Sequence, residues 1–377
     1  MASSSIIRVF QEKPSTIILI AVFGLISVGL IMIYSSSAIY AEKLWGDPYI
    51  FVKNHIIHLA LGLICLRIGT RIPYNRYQGL TPFLMTFTFL LMLLVLMPAL
   101  GKQVGNARRW LTLFGFSFQP SELLKLTLLI WFAGFLTRRK DVLSYFSRGI
   151  LPSLIVMGVF LFLLLLQPDF GTAVLIALSL LLMMFVAGVK PSHTIASLVG
   201  LGIIGFFLII SKSYRLRRIT GFLDPWADPY DTGFQLIQSF IAFGTGGIFG
   251  RNLGNSRQKM FFLPEGHTDF IFSILAEEVG FIGVSFVIFL ITILLIKGFQ
   301  VASETRDDFG RNLAFGISVL IVLQSLLNIG VVTGLLPTKG IPLPFISYGG
   351  SSLILSMFMI GILLNISATN RRLSGHG

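Results

Sequence analysis

The sequence predicts an all-α polytopic membrane protein of about ten transmembrane helices, with a long extracytoplasmic loop between helices 7 and 8. Three observations carry that prediction. Hydrophobic residues make up 54% of the 377 and charged residues 12%, with a mean hydropathy of +0.85; soluble domains carry roughly 25% charged residues. Apolar windows of about twenty residues, the length that spans a bilayer core, recur along the whole chain. The runs are continuous rather than alternating, which excludes a transmembrane β-barrel.

The spans fall at about 16–38, 52–70, 78–98, 122–137, 149–167, 171–188, 193–212, 269–297, 311–333 and 351–367. The first is too long for the apolar core of a signal peptide, and Ala38-Ile39-Tyr40-Ala41 is a poor cleavage site. Gln119-Pro120-Ser121-Glu122 starts the fourth, and Gln167-Pro168-Asp169 breaks the fifth from the sixth. The whole chain, 1–377, reads as one domain with a long extracytoplasmic loop at about 213–268 and cytoplasmic tails at about 1–15 and 368–377.

With the N-terminus in the cytoplasm, about half of the 29 basic residues fall on the inner side. The outer ones crowd into two segments. Residues 101–125 hold Lys102, Arg108, Arg109 and Lys125; residues 212–259 hold Lys212, Arg215, Arg217, Arg218, Arg251, Arg257 and Lys259. Long loops escape the positive-inside rule, so the orientation survives. Cations with no topological role point to anionic head groups or phosphates; nonspecific attraction to lipid is the plainer reading. The formal net charge of +13 needs no nucleic-acid partner. Within the second loop, Phe234, Ile237 and Ile241 share the face of a short helix that lies in the interface or dips into it, ended by Gly244-Thr245-Gly246-Gly247.

One cysteine, Cys65, permits no disulfide within the chain, and the five histidines show no metal-ligand spacing. No cofactor is implied, and a divalent cation, Mg or Mn, held by carboxylates stays open.

Ionisable residues stand out against so apolar a background. Phe261-Phe262-Leu263-Pro264-Glu265-Gly266-His267-Thr268-Asp269-Phe270 closes the long loop and opens the eighth span. Thr268 and Asp269 could simply cap that helix, whereas an ionisable group at a helix mouth in a membrane reads as functional. Glu122 and Lys125 are three apart and form an ion pair on one helix face. Asp169 has almost no loop around it and sits at helix-end depth. Glu277 and Glu278, two to three turns into the eighth span, are structural glue with Asn328 or Gln324 as partners.

Ile341-Pro342-Leu343-Pro344-Phe345-Ile346-Ser347-Tyr348-Gly349-Gly350-Ser351-Ser352 resembles the C-terminal signature of the SEDS family (shape, elongation, division, sporulation). Tyr34-Ser35-Ser36-Ser37-Ala38, Asn106-Ala107-Arg108-Arg109-Trp110-Leu111, Phe118-Gln119-Pro120-Ser121-Glu122, Gln167-Pro168-Asp169-Phe170-Gly171-Thr172 and His267-Thr268-Asp269-Phe270-Ile271-Phe272 extend the resemblance over nearly the whole chain. Asp224-Pro225-Trp226-Ala227-Asp228-Pro229, Gly254-Asn255-Ser256-Arg257-Gln258-Lys259 and Pro337-Thr338-Lys339-Gly340 are similar to its cell-division branch. Asn106-Ala107, where many relatives carry an additional glycine, is a one-residue loop difference.

The resemblance implies a peptidoglycan glycosyltransferase that polymerises lipid II, a disaccharide-peptide on undecaprenyl pyrophosphate, at the outer face of the cytoplasmic membrane and at the division septum. It implies a class B penicillin-binding protein as transpeptidase partner, other division proteins around it, and a general base at Asp269. Candidate substrate-binding residues are Arg109, Glu122, Lys125, Asp169, Arg257, Lys259, Glu265, His267, Lys339 and Ser347. Arg257 and Lys259 are expected to meet the pyrophosphate or sugar, and Arg109 either substrate or, with Trp110, the interface. A lipid II flippase and a noncatalytic division scaffold are the competing readings. A flippase needs a polar path to the cytoplasmic side, whereas the ionisable residues here crowd the outer half.

Overall fold

The computed structural model describes residues 14–104, 107–113, 116–259, 263 and 266–373. Its helices are α1 (Pro14–Trp45), α2 (Ile50–Arg71), α3 (Asn75–Leu94), α4 (Pro120–Arg138), α5 (Phe146–Leu166), α6 (Phe170–Val186), α7 (Pro191–Ile210), α8 (Ser213–Leu223), α9 (Phe234–Gly246), α10 (Ile271–Glu304), α11 (Asp308–Val332) and α12 (Gly350–Leu373). Nine of these are long and apolar enough to cross a membrane; α6, at 17 residues, is the tenth apolar helix. All ten expected spans are therefore present as helices.

The bundle is layered by burial. Most of α4, α11 and α12 is buried, whereas α2, α3 and α7 show most of their surface outward. Ile203, Phe206 and Phe207 of α7 are exposed apolar side chains, the pattern of a helix meant to face hydrocarbon. The backbone of each span satisfies itself, which is why helices alone serve here. Ends are set locally: Asp307 caps α11 through Gly310 N at 2.8 Å, and Pro120 and Pro191 sit in the first turns of α4 and α7.

Three features depart from the sequence reading. Three short strands form an antiparallel sheet, β1 (Gly101–Val104), β2 (Ala107–Leu113) and β3 (Phe116–Phe118), so the all-α bundle carries a small β cap. Next, α9 is packed against α10, with a buried face other than the one the spacing marks. Leu236, Ile237, Ser239 and Ala242 are buried, and Ile241, expected on the apolar face, is exposed. Ser239 Oγ is 2.6 Å from Ser273 Oγ, tying α9 to the start of α10. Finally, α10 is bent at Gly280 (φ 69°, ψ −165°). Residues 247–251 run alongside that bend, with Phe281 N donating to Gly247 O at 2.9 Å and Arg251 N to Glu277 O at 3.0 Å. A Cβ on Gly280 would lie 2.3 Å from Gly250 N, so only glycine allows both the bend and the approach.

Candidate active site

Asp269 lies in a turn, residues 266–270, just before α10, whose N-cap position is Phe270. The capping position thus belongs to neither Thr268 nor Asp269, and the acid precedes the helix rather than opening it. Three successive carbonyls of this turn are braced. Tyr348 N donates to His267 O (3.0 Å), Ser347 Oγ to Thr268 O (2.6 Å) and Asn328 Nδ2 to Asp269 O (2.8 Å). Asn328 Nδ2 also donates to Ile341 O at 2.8 Å, and Ser347 Oγ accepts from Leu343 N at 2.8 Å. The segment 341–348 is therefore a clamp on the acid's backbone. Ser347 is buried within that clamp and does not border the cavity that Asp269 faces. Gly340 lies against the carboxylate, where a Cβ would come within 2.9 Å of Asp269 Oδ2.

Asp269 faces a cavity of about 830 Å³ that it shares with Arg109, Arg215, Arg217, Arg218 and Lys339, and with Asp169 and Asp231. Three sequence-distant segments supply the cations. β2 brings Arg109, whose Nε donates to Gln167 O at 3.1 Å and whose Nη2 donates to Pro168 O, gripping the end of α5. Cations are favoured at such a helix C-terminus. α8 brings Arg215, Arg217 and Arg218. Arg215 is anchored on Leu208 O (2.8 Å) and lies 5.6 Å from the Phe170 ring centroid; Arg217 is 3.9 Å from Asp231. Lys339, on the loop after α11, lies 4.8 Å from the same Phe170 ring.

The cations weigh on one another. Desolvation inside the cavity and then the Arg109 guanidinium push the Arg218 pKa down, while Tyr214 and Asp269 support its charge. Burial, followed by Arg218, lowers Lys339 to about 8. Asp169 caps α6 through Thr172 N at 3.3 Å, and Ser121 Oγ is 3.4 Å from its Oδ2, so it forms a buried wall of the cavity.

Other candidates lie elsewhere. Lys125 pairs with Glu122 at 2.7 Å and donates to Gln324 Oε1 at 2.8 Å, while Gln324 Nε2 reaches Pro342 O at 2.9 Å. This fully buried chain supports the clamp from beneath and does not border the cavity with Asp269. Glu277 and Glu278 hold neither Asn328 nor Gln324, contrary to expectation, because residues 251–259 fold down onto α10. Glu277 accepts from Arg257 N (3.1 Å), Gln258 N (3.3 Å) and Ser256 Oγ, and pairs with Arg251 at 3.8 Å. Glu278 accepts from Ser35 Oγ (2.6 Å) and pairs with Lys259 at 3.2 Å. Lys259 is thus a buried counter-ion and the Arg257 side chain is exposed; neither borders the cavity around Asp269. His267 packs among Tyr40, Phe51 (4.7 Å between centroids) and Tyr348. Glu265 lies outside the described residues. Arg215, Arg217 and Arg218 were visible only as a basic run, Arg215-Leu216-Arg217-Arg218; the helix that aims them was not.

Breaking a buried ion pair from one side costs roughly 3–5 kcal/mol, because a charge is stranded. Lys259→Met is therefore expected to lower the melting temperature sharply in detergent, and adding Glu278→Gln to recover most of it. A stable Lys259→Met protein with weakened substrate binding would instead make Lys259 a substrate contact.

The family model described as cell cycle protein matches residues 15–372. The chain is 44% identical over 364 residues to the probable peptidoglycan glycosyltransferase FtsW of Geobacter sp. (strain M18), covering 96% of this chain and 98% of that one. It is 42% identical to the stage V sporulation protein E of Bacillus subtilis (strain 168), covering 96% and 99%. Among solved structures it resembles a chain of a peptidoglycan synthase complex coordinating polymerization and crosslinking (TM-score 0.76, 30% identity, 94% and 97% covered). It also resembles the rod shape determining protein RodA of Thermus thermophilus (TM-score 0.69, 28% identity, 94% and 96% covered). A match over nearly the full length, together with the clamp built from the C-terminal signature, makes this chain a member of the SEDS family of polytopic membrane proteins.

Proposed function

We propose that this peptidoglycan glycosyltransferase polymerises lipid II at the outer membrane face, with Asp269 as general base. The observation that carries the reading is the Asp269 carboxylate, on a turn whose carbonyls are braced, at the wall of a cavity lined by five cationic side chains against three carboxylates. Glycan polymerisation needs both parts. The acceptor hydroxyl gives its proton to Asp269 as its oxygen bonds to the donor's anomeric carbon, and the bond from that carbon to the pyrophosphate oxygen breaks. The electron pair leaves with the pyrophosphate, whose growing negative charge the cations stabilise. A divalent cation here would draw on Asp269 and the phosphate oxygens themselves; no group of three His, Cys, Asp or Glu converges among the described residues.

The test is polymerisation of lipid II by the purified chain in liposomes, with and without a class B penicillin-binding protein. Polymer that depends on Asp269 supports the reading. Transbilayer movement of lipid II without polymer makes the chain a flippase, and neither activity makes it a scaffold.

The orientation follows the inner basic loops, with both termini cytoplasmic, and the family's division branch points to the septum and to other division proteins there. For the transpeptidase we propose the eighth span. On the neighbouring α11, Gly316 packs on Met183, and a Cβ at Gly298 would lie 2.7 Å from Ser318 Cβ, so Gly316 and Ser318 serve packing within the chain. The outward residues of α10 include Phe281, Ile282, Phe286 and Phe289. Crosslinkers placed at Phe281, Phe286 and Phe289 are expected to capture the transpeptidase in membranes. Capture only from α2 or α7 would move the interface without touching the assignment of Asp269.

A further inference from the structure

The corner between α5 and α6, Gln167-Pro168-Asp169-Phe170, holds three of the five cavity cations. The Gln167 and Pro168 carbonyls accept from Arg109. The Phe170 ring takes the other two. Arg215 Cζ lies 5.6 Å and Lys339 Nζ 4.8 Å from its centroid, both within the roughly 6 Å over which a ring face attracts a cation. The three cations arrive on β2, on α8 and on the loop after α11, and this corner is where those segments meet. The approach is close. A Cβ on Gly171 would lie 3.0 Å from Ile341 Cγ1 and 3.6 Å from Lys339 Cβ, so the loop that carries Lys339 rests directly on the start of α6.

A ring at this place does what a carboxylate could not. An acid would pair with both side chains and compete with a phosphate for them. A phenyl face attracts cations through its quadrupole and leaves their formal charges in place for a ligand. Among the described residues, neither Arg215 nor Lys339 forms an ion pair with a carboxylate. The Asp169 carboxylate, next in the chain, is turned to Thr172 N and Ser121 Oγ. The α6 dipole presents its positive end here and disfavours cations, and Arg218 repels Lys339. The ring offsets both.

We infer that Phe170 is a positioning residue of the cation wall: its ring sets Arg215 and Lys339 for the substrate's pyrophosphate and neutralises neither. The inference rests on the polymerase reading and deepens it, since it names what arranges the cations that receive the leaving group.

The experiment replaces Phe170 by mono-, di- and trifluorinated phenylalanine through stop-codon suppression. The series keeps the shape of the ring and progressively drains its negative face. Phe170→Leu removes the face outright. The readouts are melting temperature, calorimetric binding of inorganic pyrophosphate, and kcat/KM for lipid II polymerisation as a function of pH. Pyrophosphate affinity and kcat/KM are expected to fall stepwise along the fluorinated series at an unchanged melting temperature, and about tenfold with Phe170→Leu. Burial and Arg218 already hold Lys339 at about 8. Weaker attraction for the charged amine lowers it further, so the alkaline fall of kcat/KM should move to lower pH with each fluorine. The other groups around that amine, namely Arg109, the three α8 arginines with Tyr214, and Asp169, Asp231 and Asp269, are the same in every member of the series. With Lys339→Arg in place, the fluorine-dependent movement of the alkaline limb should vanish. A wild-type chain that polymerises, with pyrophosphate affinity and kcat/KM flat across the stably folded fluorinated series, overturns the role of Phe170 and leaves the polymerase reading intact. A melting temperature that falls in step with fluorination also overturns it, because the ring would then serve packing alone. A chain whose pyrophosphate affinity follows the series but which makes no polymer overturns the polymerase reading alone.

Discussion

Asp269→Asn is expected to reduce glycan polymerisation by about 10²–10⁴-fold, the usual worth of a general base, while the protein folds and still binds lipid II. The substitution keeps the shape of the side chain and removes only its ability to take a proton. The backbone brace is untouched, because Asn328, Ser347 and Tyr348 hold carbonyls of residues 267–269 rather than the carboxylate. The cations that would carry substrate affinity stay in place as well. The measurement is polymer length and rate from reconstituted protein, beside a melting curve and a lipid II binding isotherm. Near-wild-type polymer from a stable mutant would remove Asp269 from the chemistry. Lost binding with unchanged turnover at saturation would make it a substrate contact instead.

Neutralising the cavity cations is the second large effect. Arg218→Gln and Lys339→Gln are each expected to lower kcat/KM about 10- to 100-fold, as hydrogen bonds to charged groups are worth roughly 1.5–3 kcal/mol. Their pH behaviour separates them. Burial and Arg218 hold Lys339 at about 8, below the ordinary lysine value. The free protein therefore carries this charge below pH 8 and loses it as pH rises through that value, so kcat/KM should fall on the alkaline side. A bound pyrophosphate favours the charged amine and raises its pKa, so kcat at saturation should persist to higher pH. Lys339→Arg should abolish the alkaline fall, and Arg218→Gln should shift it upward by removing a repelling charge. A flat kcat/KM profile from pH 7 to 9 in the wild type would remove Lys339 from substrate binding.

Much of the molecule is legible along the chain. Each span is a run of apolar residues long enough to cross hydrocarbon, a property of composition that needs no partner. Glu122 and Lys125 declare their pairing by their spacing on a helix, and Asp169 its helix-end position by the Pro168 before it. The sheet of β1, β2 and β3 is not legible, because its strands are short and a seven-residue β2 within a polar loop carries little periodic signal. The partners of Glu277 and Glu278 are hidden from the sequence for a related reason. The choice between Asn328, on the neighbouring helix, and Lys259, on the preceding loop, depends on which way residues 251–259 fold.

The sequence by itself determined that this protein lies in a membrane, where its helices run, and that Asp269 stands at the mouth of one of them. Only the tertiary structure decided which cations meet that acid. Arg109, Arg218 and Lys339 come from β2, α8 and the loop after α11, more than a hundred residues apart in the chain, while the nearby Lys259 turns inward to Glu278. Partition into lipid is a sum over local residues and can be read in a window. The field at a carboxylate depends on distances of a few ångströms between distant segments, and those are set by how the loops pack back onto the bundle.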